Sequence, residues 1–323
     1  MKTGVIGTGA MGQNHVRVYS EISELAGVSD AFEETGKRIA ERYGTEFYRD
    51  YRELLNRVDA VSIATPTVTH YEIAKEAIEA GVHVLVEKPV TDSVEKGEEL
   101  VRLAKENGVV MAVGQIERHN PVVDFAKTAM AEGRFGHAIT MSSRRVSNFP
   151  SRIRDVGVIL DLAIHDIDAI RYLAGSAVKS VYATSGMARN TEHEDHASIV
   201  LNFENGMIGH VETNWLTPMK VRKLAITTTE ELVTLDYMNQ SAEVSTTQFG
   251  DIDERNLFNI PLEYRTERIN LKREEPLKRE LSDFLNAVKN AEEPLVSGRD
   301  GLETLKVTLA ALRSSHENRV IEL

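Results

Sequence analysis

Asp161, His165 and Asp168 recur at intervals of four and three residues within an otherwise apolar stretch, GVILDLAIHDIDAIRYLAG, from Gly157 to Gly175. At about 100° per residue the three fall within roughly 60° of one another on a helix, one stripe of adjacent turns. Ile164, Val158 and Ala169 flank that stripe, and Leu160, Leu162, Ile167 and Ile170 cover most of the remaining circumference, which predicts a buried helix with one polar slot. A carboxylate beside an imidazole, the side chain that titrates nearest neutrality, suits proton transfer. Two plainer readings stand beside it at this point. Asp161 and His165 form a solvated i,i+4 pair with Asp168 capping something nearby, or they serve with the HEDH segment, His193 to His196, as metal ligands by residue type. A cation that such chemistry could use is Lys88 in EKPV, kept extended by the following Pro89. Lysine before proline is also an ordinary surface feature, so the elements that position these groups must decide.

Composition narrows the classes. A chain of 323 residues, 41% hydrophobic and 27% charged, suits two globular domains, each large enough for its own core. No run approaches the ~18 apolar residues of a membrane span, and the glycine-punctuated start, KTGVIGTGAMG, reads as strand and turn, not as a cleaved leader. The expected location is the cytoplasm. With no cysteine, disulfides, thiolate metal sites and cysteine nucleophiles are excluded together. A net charge of -12 argues against nucleic acid or an anionic membrane as a main partner.

The expected fold class is α/β. Residues 1–119 alternate β-rich runs (KTGVI, LAGVSD, TEFY, DAVSIAT, VHVLVE, VVMAVG) with helical patterns near 10–22, 33–43, 50–57, 70–80 and 93–107, the signature of a doubly wound parallel sheet. Asp50 with Glu53 and Thr69 with Glu72 have capping-box spacing, and Gly44, Gly81 and Gly108 stand where helices should stop. Residues 120–323 read as an α+β domain with a helix near 121–132, a strand in GHAITMSSRRV, and a large open, mainly antiparallel sheet from Lys179 to about Thr247 that includes a hairpin turning at Glu204–Gly206. Two closing helices, about 276–290 and 298–316, are expected to cover one face of that sheet. An apolar opposite face would need a partner, so a homodimer or homotetramer through this sheet is expected.

VIGTGAMG supplies the G-x-G-x-x-G pattern after the first strand and at the start of the first helix, with Asp30 ending the second strand. Gly7, Gly9, Ala10, Met11 and Gly12 would bring free N–H groups to a pyrophosphate, and Asp30 would accept from ribose hydroxyls. Asp30 repels a 2′-phosphate, and Ala31 and Phe32 offer no compensating cation, so NAD is expected, not NADP. The loops after strands four and five, with Thr65, Pro66 and His70 in ATPTVTH and Glu87 and Lys88 in EKPV, face the same crevice.

Together, the glycine pattern, E87-K-P89 and D161-L-A-I-H-D-I-D168 resemble the glucose-fructose oxidoreductase / inositol dehydrogenase / MocA family over the whole chain. The resemblance implies an NAD-dependent oxidoreductase acting on a CH–OH group. The lysine of E-K-P and the aspartate and histidine of D-x-G-x-H-x-x-D would line the site where a sugar or polyol hydroxyl meets the nicotinamide. Ala163 stands where the family usually has glycine. Carried over by motif, His165 is the general base, Lys88 stabilises the alkoxide, Asp161 orients substrate or lysine, and Asp168 is structural. No metal is expected, since hydride chemistry needs none.

Two features bear on the substrate. GQIERHNPVV resembles the G-H-I-E-R-F-N-P segment of members that act as UDP-N-acetylglucosamine 3-dehydrogenases, with Gln115 and His119 departing from it, and NWLTPMKVRKLAI resembles their corresponding strand. That assigns Arg118, Asn120 and Trp215 to substrate. SSRRVSNFPSRIRD adds Arg144, Arg145, Arg152 and Arg154 just before the helix, a guanidinium cluster suited to a diphosphate or carboxylate, with ordinary solvated charge as the alternative. The expected reaction is oxidation at C3 of a UDP-N-acetylhexosamine or its uronate. A free polyol or monosaccharide dehydrogenase, or a non-catalytic NAD-binding sensor, are the competing readings.

Overall fold

The structure, a computed structural model, describes residues 1–149, 156–189, 192–249 and 262–323. The chain divides into two compact units, one of residues 1–119 and 274–306, the other of 120–273 and 307–323.

In the first unit, strands β1 (Lys2–Ile6), β2 (Glu24–Ser29), β3 (Glu46–Tyr48), β4 (Ala60–Ile63), β5 (His83–Glu87) and β6 (Met111–Gly114) form a parallel sheet in the order β3-β2-β1-β4-β5-β6. The order reverses between β1 and β4, the position where an open parallel sheet leaves a crevice beyond its carboxyl ends. Helices α1 (Ala10–Ile22), α2 (Glu33–Tyr43), α3 (Tyr51–Leu55), α4 (His70–Glu79) and α5 (Val94–Glu106) connect the strands. β4 and β6 are buried at every residue, as strands covered on both faces must be. α2 ends on Gly44 at φ 64°, and Asp50 accepts from Arg52 N at the start of α3. Thr69 makes no cap: its hydroxyl turns back to Thr65 and to Pro66 O, so the Thr69–Glu72 capping box is corrected.

In the second unit, α6 (Pro121–Ala131), β7 (Ala138–Asn148), α7 (Ile164–Ala174), β8 (Val178–Gly186), β9 (His196–Phe203), β10 (Ile208–Asn214), β11 (Leu216–Thr228), β12 (Glu231–Asp236), β13 (Ser241–Phe249) and β14 (Leu262–Asn270) follow in the chain. Their sheet runs β14-β13-β12-β11-β7-β10-β9-β8-β15, where β15 is Ile321–Glu322. It is antiparallel except at the β7–β10 pair. The β9–β10 hairpin turns at Gly206, φ 84°, as read. Strict alternation in β9 and β10 sends Ala197, Ile199, Leu201 and Val211 into a core with Ile167, Ile170 and Leu173 of α7. On the opposite face, register aligns Glu243, Thr234, Ala225, Ser142, His210, Val200 and Tyr182 in one rung across seven strands.

α8 (Pro276–Asn290) and the start of α9 (Gly298–Glu317) correct the sequence reading. Leu277, Leu281 and Phe284 of α8 join Val5, Val16, Val18 and Tyr19 in the core of the first unit, so this helix does not cover the antiparallel sheet. Its amphipathic period marks a buried face without saying which surface it meets. Only the later part of α9, with Val307, Ala310 and Ala311, packs into the second unit's core.

Candidate active site

Gly7 adopts φ 89°, a conformation in which a Cβ would lie 2.6 Å from Ala64 O. A Cβ on Gly12 would stand 1.8 Å from Gly7 O, whereas the space before Gly9 is open for 4 Å. No side chain caps α1 at Gly9, and Gly9 and Ala10 are exposed beside partly exposed Met11. A bare helix start behind an open glycine fits a dinucleotide pyrophosphate. Asp30 is partly exposed at the end of β2. Its Oδ2 accepts from Thr8 N and Thr8 Oγ1, both at 2.6 Å, and its Oδ1 from Phe32 N at 2.8 Å. These bonds aim the carboxylate and leave a lone pair on Oδ1 for a ribose hydroxyl.

Lys88 follows β5 directly and is partly exposed; the Lys88–Pro89 peptide is cis. Behind it, buried Glu87 accepts from Lys88 N at 3.1 Å and pairs through Oε1 with Nε2 of fully buried His15 at 2.9 Å. Burial opposes ionisation of Glu87, but the His15 hydrogen bond and the charges of His15 and Lys88 hold its carboxyl below the usual range. Glu87 therefore anchors the lysine's backbone from inside the loop. His70 is held in the same way. It is 1% exposed, with Nδ1 2.8 Å from Pro89 O and Nε2 2.9 Å from Thr65 O, so it spans the two loops and turns neither nitrogen to the crevice. Burial pushes its pKa down although both carbonyls favour the cation. Thr65 and Pro66 remain at the partly open rim.

In the second unit the polar-slot helix does not begin as an α-helix. Ile159–Ala163 is a π turn, closed where Ile164 N donates to Ile159 O, and α7 follows. The wider turn keeps residues four apart close to one revolution apart, so Asp161 and His165 stay on one side of the helix. Both are partly exposed, while Asp166 and Asp168 are 1% exposed, consistent with a structural Asp168.

The expected substrate arginines are dispersed. Arg145, 1% exposed, donates from Nε to Asp166 Oδ2 at 2.6 Å and lies over the Tyr237 ring at 5.5 Å, an interior ion pair. One residue earlier the pleat turns Arg144 to the opposite sheet face, where it pairs with Glu212 at 3.1 Å. Arg118, 4% exposed, pairs with Asp300 at 3.1 Å. Asn120 caps α6 through Val122 N and donates to Tyr237 O. Trp215, 2% exposed, packs edge-on against Phe149. All five side chains have protein partners here, four of them buried, whereas Arg144 stays exposed beside Glu212. Arg152 and Arg154 lie outside the described residues. The HEDH segment is likewise committed, since Glu194 bonds Ile159 N and Asp195 bonds Ala188 N, Arg189 N and His196. Among the described residues no group of three or more His, Cys, Asp or Glu could hold a metal ion, and no helix is long and apolar enough to cross a membrane. A groove of about 680 Å³ between α5 and the start of α9, lined by Val101, Met111 and Leu302, includes none of the candidate residues.

Comparison with known proteins decides the family. Residues 1–115 match the oxidoreductase family with an NAD-binding Rossmann fold, and residues 123–234 match the GFO/IDH/MocA C-terminal domain. The chain belongs to the GFO/IDH/MocA oxidoreductases. A UDP-N-acetylglucosamine 3-dehydrogenase of Acidithiobacillus ferrooxidans is 33% identical over 97% of this chain and 96% of its own. The solved structure of that enzyme superposes with a TM-score of 0.88 at 30% identity, covering 98% of both chains. A myo-inositol 2-dehydrogenase of Thermotoga maritima is 28% identical over 100% of this chain and 98% of its own. GenD2 from gentamicin A biosynthesis, solved with NAD, is 26% identical at a TM-score of 0.85, over 100% of this chain and 96% of that one.

As a GFO/IDH/MocA member, the chain is an NAD-dependent oxidoreductase whose first unit holds the dinucleotide. Sequence reasoning missed Thr8, which aims Asp30, and His15, which holds Glu87. A histidine at an otherwise buried position of an amphipathic helix was the available signal for His15.

Proposed function

We propose that this GFO/IDH/MocA oxidoreductase oxidises a secondary hydroxyl of a sugar, with C3 of a UDP-N-acetylhexosamine or its uronate as the leading substrate. Bound NAD supplies the hydride acceptor. His165 takes the hydroxyl proton, Lys88 steadies the developing alkoxide, and Asp161 orients the reacting groups. The observation that carries the substrate is the end-to-end match to the UDP-N-acetylglucosamine 3-dehydrogenase. A free polyol is the second reading, favoured by the burial of Arg145 in an internal ion pair with Asp166, which leaves one cation fewer for a diphosphate, and by the inositol dehydrogenases among the relatives. Retention of Lys88, Asp161 and His165 argues against a non-catalytic sensor. A panel of UDP-sugars and free polyols with NAD, followed by nicotinamide absorbance, tests the choice. The greatest rate is expected with a UDP-N-acetylhexosamine or its uronate, and a faster rate with inositol or glucose overturns it.

The chain works as a homo-oligomer through the outer face of the nine-stranded sheet. That face exposes Tyr182, Ile208 and Leu232, apolar groups that pairing with its own copy would cover.

A further inference from the structure

The π turn that precedes α7 is held from a distant part of the chain. Val158 N donates to Glu194 O at 3.0 Å and Ile159 N to Glu194 Oε1 at 3.1 Å, so one residue, 35 positions along the chain from Ile159, satisfies two successive donors of the helix start. Ordinary N-caps come from the residue just before the helix. Here that neighbourhood holds Gly157, and the space its Cβ would fill is taken by the Glu194 carboxyl, whose Cδ and Oε2 lie 2.1 Å from the Cβ position. Gly157 O in turn accepts from Asp161 N at 3.0 Å.

Glu194 is itself immobilised through its neighbour. Asp195, with a fully buried side chain, accepts from Ala188 N at 2.9 Å and Arg189 N at 2.8 Å. Its own N–H donates to Gly186 O, and its carbonyl accepts from Trp215 N. The position of the sheet is thus transmitted through Glu194 to the first turn of the helix.

We propose that Glu194 is a positioning residue for the reaction, locking the π turn so that Asp161 and His165 keep their mutual setting. The inference rests on the reading of Asp161 and His165 as reacting groups. Without the cap, the π turn is free to rewind into α-helix, which leaves Asp161 and His165 on one side of the helix but alters the angle and rise between them.

The test uses the full chain and the panel member turned over fastest. Glu194→Ala is expected to lower kcat at least tenfold with NAD affinity unchanged. Glu194→Gln, whose amide oxygen still accepts from Ile159 N, stays within about threefold of wild type. Gly157→Ala displaces the carboxyl and reproduces the loss, and the double variant Gly157→Ala/Glu194→Ala is no slower than the slower single one. A cap that only stabilises would lower the melting temperature and leave kcat of the folded protein unchanged. That result, a Gln variant as slow as Ala, or additive losses would overturn the proposal. If Glu194→Ala does not fold, Glu194→Gln and Gly157→Ala decide on their own. His165→Ala separates the two claims. Wild-type rate in that variant sinks the underlying reading, whereas an inactive His165→Ala beside fully active Glu194 and Gly157 variants sinks this inference alone.

Discussion

Replacing Arg145 with methionine separates architecture from ligand recognition. The guanidinium and Asp166 are 2% and 1% exposed and 2.6 Å apart, so Arg145→Met takes the cation away from a buried carboxylate. Breaking one side of such a pair costs about 3–5 kcal/mol, and the lost contact with the Tyr237 ring adds to it. For domains of 150–250 residues each kcal/mol moves the melting point by roughly 2–4 °C, so a fall of about 6–20 °C is expected. The assay is thermal and urea unfolding followed by the fluorescence of Trp215, the single tryptophan, which packs on Phe149 in the same unit. Arg145→Met/Asp166→Leu should recover most of the loss, because replacing both charges with apolar groups is close to neutral. Destabilisation below about 1 kcal/mol together with a tenfold rise in KM for a UDP-sugar would refute the structural assignment and return Arg145 to the ligand.

Lys88→Met and His165→Ala should each reduce turnover by ~100-fold or more while NAD still binds by fluorescence titration; a His165→Ala variant at wild-type rate removes it as the base. Glu87 is held below its ordinary pKa, so its contribution to stability is full above the unfolded value of about 4.3 and lost as pH falls through the folded one. The stability gap between wild type and Glu87→Gln should therefore shrink on acidification below about pH 4 in chemical denaturation. A gap that widens there contradicts the pairing with His15.

The dinucleotide half was legible because its signals are local: Gly7, Gly12 and Asp30 meet their partners within one strand-turn-helix unit and the next strand. The helix with Asp161 and His165 was legible for its period, but its π turn was not, because the feature that holds it, Glu194, arrives 35 residues later. The partners of the arginines were hidden for a related reason. Residue type announces a cation, whereas the pleat of β7 and the burial of Asp166 decide whether it meets solvent or an internal carboxylate. Glu87 and His70 show the same limit: a polar side chain in a functional loop can serve the loop itself.

Because α8 completes the core of the first unit, a nascent chain cannot finish that core until nearly its whole length has left the ribosome. Val16 and Tyr19 await Leu281 and Phe284 across more than 250 intervening residues, the whole β7–β14 sheet among them. Folding in strict N-to-C order is therefore barred, and a fragment stopped at residue 119 would emerge with an uncovered apolar flank fit for chaperones to grip.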